Sequence, residues 1–140
     1  RRGGGGRGLA GLKKRGLIER APYVVGVQAA ACSPLVAAFE RGLPAMEEIV
    51  EGSTLAEGVR VRRPVRAGAL LREVRPGDGT FLAIAEEKIQ PATGELARRG
   101  MYVEPTSALV WAAFSQLSGK IPEPVILILS GSGFKVQPSI

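Results

Sequence analysis

The sequence predicts an α/β fold of three layers, with helices on both faces of a mostly parallel sheet. Three observations predict it. Short valine-rich runs alternate with helical segments in the order βαβα, and the linkers between them are short. The linkers carry the residues that punctuate such units, as in ArgProGlyAspGly over residues 75–79. Near the end of the chain an apolar run, residues 125–129, passes directly into Ser130, Gly131, Ser132 and Gly133, and in open α/β sheets the carboxyl ends of strands are where ligands sit. With 140 residues, 45% of them hydrophobic, the chain is long enough for one core of ordinary domain size. It is one domain or a piece of one.

Each element follows from local chemistry. The chain opens on RRGGGGRG, a glycine loop, and residues 9–19 read as a helix after it. Residues 23–27 read as a short buried strand. Ser33 can cap a helix with Pro34 at its first position and Gly42 beyond its end at Arg41. Residues 44–61 read as mostly irregular, and a helix follows over about 64–74. After the turn at 75–79 comes a strand over 80–85. Glu86 and Glu87 suit the first turn of the next helix, where the macrodipole favours negative charge, but Pro91 and Gly94 are expected to kink or split it. Residues 105–117 are apolar nearly all round, including Trp111 and Phe114, so this helix should be buried against the sheet. No internal repeat is visible.

Composition narrows the function classes. The longest apolar stretch of weight, 108–114, is far below the roughly 18 residues needed to span a bilayer, and no signal-peptide pattern opens the chain, so the expectation is a cytoplasmic protein without a membrane partner. One cysteine and no histidine exclude an internal disulfide framework and disfavour zinc, so no metal ligand is expected, and Cys32 reads as a small buried residue. A formal net charge of +6 brings nucleic acid forward as a partner, and RRGGGGRG resembles one unit of RNA-binding arginine and glycine segments. That unit stands alone, however, and the other arginines, scattered through folded elements, are expected to lack aromatic stacking partners. Arg60, Arg62, Arg63 and Arg66, the densest remaining cluster, read as a solvated face, and nucleic acid is not the expected partner.

Two small-residue loops carry the candidate site. Glycines leave no side chain in the way, so the amides of Gly3, Gly4, Gly5 and Gly6 can converge on a phosphate at the positive end of the following helix. A tetraglycine taken alone reads more readily as a flexible joint. Ser130 delivers a hydroxyl at a strand end, with Ser132 a weaker candidate and Gly131 and Gly133 suited to close approach of backbone to a ligand. Glu104 precedes Pro105 and so stands at a helix amino end, either facing the crevice or capping the helix. Together the loops point to a bound phosphorylated cofactor.

GMYVEPTSA followed by VILILSGSGFK resembles the carboxyl-terminal end of the threonine synthases, within the fold-type II family of pyridoxal-phosphate enzymes that also holds threonine dehydratase and cysteine synthase. Upstream, YVVGVQAAACSPLVAAFERG and STLAEGVRVRRPVRAGALLREVRPGDGTFLAIAEEKI run in that family's order, with GGGGRGLAG where its phosphate loop belongs. The resemblance implies a phosphate-loop segment over 1–12 and an α/β body over 13–140. It implies that Gly3 to Gly6 and Gly8 cradle the 5′-phosphate of pyridoxal 5′-phosphate, that Ser130 bonds the pyridine nitrogen and that Glu104 lies near the pyridine edge. Thr54, Ala56 and Gly58 match its TxAxG element, which passes beside the cofactor ring. Arg7 stands where threonine synthases usually offer a threonine hydroxyl.

The family's Schiff-base lysine lies in a segment resembling SFKDR. No such segment occurs here, and Lys13, Lys14, Lys88, Lys120 and Lys135 fall elsewhere in the pattern. The expectation is therefore a carboxyl-terminal part with no catalytic residue of its own. Its expected partners are a phosphorylated amino-acid substrate and either an amino-terminal half or another copy of the chain, in a homodimer. The implied reaction is conversion of O-phosphohomoserine and water to threonine and phosphate. Alternatives are a threonine or serine dehydratase, and a non-catalytic domain that binds a phosphorylated ligand or a partner.

Overall fold

The computed structural model describes residues 4–46, 49–74 and 79–135. Two strands, β1 (Val24–Ala29) and β2 (Gly79–Ile84), pair in parallel, in register from Val24 opposite Gly79 to Ala29 opposite Ile84. Parallel strands need a long crossover. Here it holds two helices, α2 (Pro34–Glu40) and α3 (Ala67–Val74). Two more follow β2, α4 (Ile89–Arg98) and α5 (Pro105–Leu117), and α1 (Gly4–Lys14) precedes β1.

Alternation of side chains across a strand gives the pair two apolar faces. Val27, Ala29, Leu82 and Ile84 pack on one face with Ile89, Leu96, Ala108 and Leu109 of α4 and α5. Phe81 and Ala83 pack on the other with Leu35, Val36, Leu71 and Val74 of α2 and α3. Helices thus cover both faces of a parallel sheet, the α/β three-layer arrangement that the sequence predicts. Gly26 keeps the second face thin: it lies opposite Phe81, and a Cβ there would come 2.5 Å from the ring. Phe81 in turn meets Phe39 edge to face at 5.4 Å.

Several expectations need correction. The first helix spans Gly4–Lys14 instead of 9–19, so Gly4, Gly5 and Gly6 form a helical turn and not a loop, while Gly3 lies outside the described residues. Glycine is a weak helix former, so this turn rests on propagation from the helix after it, where each further residue adds a hydrogen bond without a new nucleus. The helix stops early because Gly16 takes a left-handed φ of 70°, and the amides of Gly16 and Leu17 return to the carbonyls of Lys13 and Leu12.

Ser33 does not cap α2; its hydroxyl donates to the Ala30 carbonyl at 3.4 Å. The cap comes from β1, where the buried Gln28 side chain accepts from the amides of Leu35 at 2.9 Å and Val36 at 3.1 Å. Pro91 and Gly94 do not split α4, which runs unbroken from Ile89 to Arg98. Pro91 is its third residue, where a helical amide has no partner inside the helix and the missing N–H costs nothing.

The expected last strand, 125–129, does not join the sheet. Val125, Leu127 and Leu129 are half-buried while Ile126 and Ile128 are 86% and 76% exposed, the period of extended backbone. Apolar alternation specifies an extended chain; a ladder also needs a partner, and none is paired with this segment among the described residues.

Candidate functional site

The site is built around the first turn of α5. Pro105 fixes its first residue, and Glu104, in extended backbone at φ −70° and ψ 156°, accepts from the amides of Ser107 and Ala108 through its carbonyl. Its carboxylate makes no capping bond, so the capping alternative fails. Residues 102–104 run antiparallel to 131–133: the Glu104 amide donates to the Gly131 carbonyl at 3.1 Å, and the Gly133 amide to the Tyr102 carbonyl at 3.0 Å. The buried Ser107 hydroxyl accepts from the Gly131 amide at 2.8 Å. The start of the helix therefore holds the loop that carries Ser130.

Gly131 and Gly133 do serve close approach, but to protein. A Cβ on Gly131 would collide with the Glu104 carboxylate, and one on Gly133 would come 2.8 Å from the Tyr102 ring. Ser130 itself is exposed, on the side of Ile126 and Ile128, and no described residue engages its hydroxyl.

The segment Thr54–Gly58 joins the same group. The Thr54 hydroxyl accepts from the Ala56 amide at 3.1 Å, Ala56 is buried in the core under α5, and a Cβ on Gly58 would come 2.9 Å from the Thr106 hydroxyl. Upstream, the Gly52 amide donates to the Ala31 carbonyl just past β1 at 2.7 Å. The Leu55 amide donates to Glu86 Oε1 just past β2 at 2.5 Å. The segment thus crosses the carboxyl ends of both strands, the ligand-binding edge of this class of fold. Thr106 touches it on one side while Ser107 holds Gly131 on the other, so the structure brings together Thr54, Ala56, Gly58, Glu104 and Ser130 around one helix start.

Gly4, Gly5, Gly6 and Gly8 are placed differently. They lie in α1, where the first amides of the helix are unpartnered within it and form its positive end. Among the described residues no hydrogen bond links α1 to the α5 cluster, and no described α1 side chain joins either apolar core cluster.

Other groups are excluded on physical grounds. Cys32 is fully buried, and that burial, aided by the charge of Glu51, pushes its thiol above the usual 9.0 against the opposing pull of Arg60, Arg62 and the Val61 backbone. A thiol so placed is not a nucleophile. Among the described residues no cluster of potential ligands could hold a metal ion, and no helix is long and apolar enough to cross a membrane. An open groove of about 910 Å³ runs between Leu55 and the outer face of α4, but Glu86, Glu87 and Glu95 outnumber Arg98 along it. With Glu87 and Glu95 against Arg98, its exposed lining carries more negative than positive charge.

Comparison with known proteins decides the family. The sequence profile of the pyridoxal-phosphate dependent enzymes matches residues 2–131. The chain belongs to this family. Two archaeal threonine synthases are similar in sequence. That of Methanosarcina acetivorans is 33% identical over 112 residues, 79% of this chain and 28% of its own length; that of Methanocaldococcus jannaschii is 31% identical over 134 residues, 92% and 33%. The chain thus spans about a third of these relatives. Among solved structures, a threonine deaminase from T.th. superposes with a TM-score of 0.70 at 30% identity, covering 96% of this chain and 48% of the other. Maize serine racemase shares the fold, with a TM-score of 0.58 over 74% of this chain and 30% of its own.

The family uses pyridoxal phosphate, and the chain's residues fit that cofactor in two respects. The Ser130 hydroxyl is exposed and unengaged at the end of an extended segment, and the amides at the start of α1 suit a phosphate. Lys13, Lys14, Lys88, Lys120 and Lys135 are all exposed. Sequence reasoning missed Ser107, Gln28 and Glu86. Each acts through a backbone contact 7 to 31 residues away, which leaves no local pattern.

Proposed function

We propose that the chain is the carboxyl-terminal, cofactor-flanking part of a threonine synthase-like enzyme that converts O-phosphohomoserine and water to threonine and phosphate. The observation that carries this reading is the joining of the Ser130 loop, Glu104 and the Thr54–Gly58 segment at one helix start, beside the carboxyl ends of parallel strands. The threonine synthase names of its relatives support the reaction.

When bound, pyridoxal phosphate supplies the electron sink for proton removal at the substrate's α and β carbons, after which phosphate leaves the γ carbon and water adds at the β carbon. Ser130 would serve the pyridine nitrogen with a neutral hydroxyl, which would orient the ring without handing it a full proton. Glu104, half-buried over Gly131, would stand near the ring edge. The first amides of α1 would hold the phosphate. The lysine that anchors the cofactor and moves protons comes from the rest of the polypeptide, so this chain alone is inactive. Residence in the cytoplasm and a homodimer belong to the same reading.

The likeness to threonine deaminase supports a second reading, ammonia release from threonine. Both are tested by expressing the complete polypeptide that contains this chain, adding pyridoxal phosphate, and measuring phosphate and threonine formed from O-phosphohomoserine against ammonia formed from threonine. Phosphate and threonine support the first reading, ammonia the second. A protein that binds the cofactor yet does neither returns the non-catalytic alternative.

A further inference from the structure

We infer that Glu86 is a positioning residue for the Thr54–Gly58 segment, and that it acts as a hydrogen-bond acceptor, not as a charge. The part concerning the cofactor rests on the reading just given.

Glu86 stands two residues beyond β2, at the first position of the short turn Glu86–Lys88 that leads into α4. Its Oε1 accepts from the Leu55 amide at 2.5 Å, across 31 residues of sequence. Its Oε2 is buried and has no hydrogen-bond partner, and no cation is paired with either oxygen among the described residues. A carboxylate kept for its charge would have its second oxygen paired or in water. Here only one oxygen is used, and it is used on backbone.

That bond completes a set of four fixings. Gly52 is held to the end of β1, Leu55 to the end of β2, Ala56 lies in the core, and Gly58 lies against Thr106. Between the first and third, Leu55 is 53% exposed and has no core contact to hold it. Without Glu86 the middle of the segment is free to lift from the strand ends. The backbone beside the proposed cofactor ring then loses its fixed placement, which is what supporting hydrogen bonds provide at a binding site.

The test uses three variants of the 140-residue chain, Glu86→Gln, Glu86→Asp and Glu86→Leu, with amide hydrogen exchange read residue by residue. Glu86→Gln keeps an acceptor at the same reach and should leave Leu55 exchange as in the parent. Glu86→Leu removes the acceptor, and Glu86→Asp draws it back by one methylene. Both should speed Leu55 exchange by about tenfold or more, the loss of one hydrogen bond, while Val27 and Leu82 amides in the sheet stay protected. Should Glu86→Leu fail to fold, Glu86→Asp against Glu86→Gln decides. Unchanged Leu55 exchange in Glu86→Asp, or equal acceleration in Glu86→Gln, overturns the inference. In the complete enzyme, the absorbance of bound pyridoxal phosphate should shift in Glu86→Asp and not in Glu86→Gln. Accelerated Leu55 exchange with an unmoved cofactor spectrum keeps the tether and removes the cofactor-facing role of the segment.

Discussion

Ser107 and Ser130, on one helix start and the loop it holds, separate structure from chemistry. The Ser107 hydroxyl is buried and is the partner of the Gly131 amide. Ser107→Ala leaves that amide unsatisfied and should cost about 1–3 kcal/mol, read as a fall in denaturant midpoint. Ser130 is exposed with no described partner, so Ser130→Ala should move stability by less than about 0.5 kcal/mol. In the complete enzyme the same substitution should lower kcat more than it weakens cofactor phosphate binding, because only the ring contact is lost. Equal loss of both, or a large stability change, would contradict the assignment. The five exposed lysines lead to a parallel expectation. The 140-residue chain treated with pyridoxal phosphate and borohydride should show no single labelled lysine by peptide mass analysis, and stoichiometric labelling of one, Lys135 for instance, would refute it.

At the level of elements, the strand pair and the helices on it are held by a few close approaches. A Cβ on Gly79 would come 2.5 Å from the Val24 carbonyl oxygen, a backbone atom that cannot rotate aside. Gly79→Ala should therefore destabilise the chain by about 1–3 kcal/mol. Gly11, by contrast, lies in α1 with nothing within 4 Å of an added Cβ, so Gly11→Ala should stabilise by roughly 0.5–1 kcal/mol. Opposite shifts in melting temperature would bear this out; a shared sign would not. Gln28→Leu removes the cap on α2 from inside the core and should cost about 1–3 kcal/mol, with the amides of Leu35 and Val36 losing protection first.

For the molecule as a whole, a two-stranded parallel sheet leaves edges open, and Ile126, Ile128 and Phe134 are each more than three-quarters exposed. Exposed apolar extended segments template pairing with other chains. Taken alone, the chain should bind hydrophobic dyes and self-associate in a concentration-dependent way, and a monodisperse monomer with a high cooperative melting temperature would argue against an incomplete sheet. Stability should also decline in alkali. Burial raises the Cys32 pKa in the folded state, so its contribution is fully present below the unfolded thiol value near 9.0 and is lost as pH climbs above it. The midpoint of urea unfolding should drop faster as pH rises above the unfolded thiol value near 9.0 in the parent than in Cys32→Ala.

What the sequence by itself determined is whatever local chemistry controls. The α5 boundaries at Pro105 and Leu117 were legible because proline starts a helix and an apolar surface all round demands burial. The α/β class was legible because the alternation of apolar periods has few packed solutions. The motifs at 54–58, 104 and 130 were legible as types of residue, and their resemblance named the family that the comparisons then showed. Tertiary structure decided the rest. It replaced Ser33 with Gln28 as the cap, turned Gly4–Gly6 into helix, left 125–129 without a ladder, and gave Gly131 to Glu104. Each of these depends on which distant backbone group lies within hydrogen-bond reach or contact distance. A one-dimensional pattern fixes which faces are apolar, but not which amide meets which acceptor once those faces are packed.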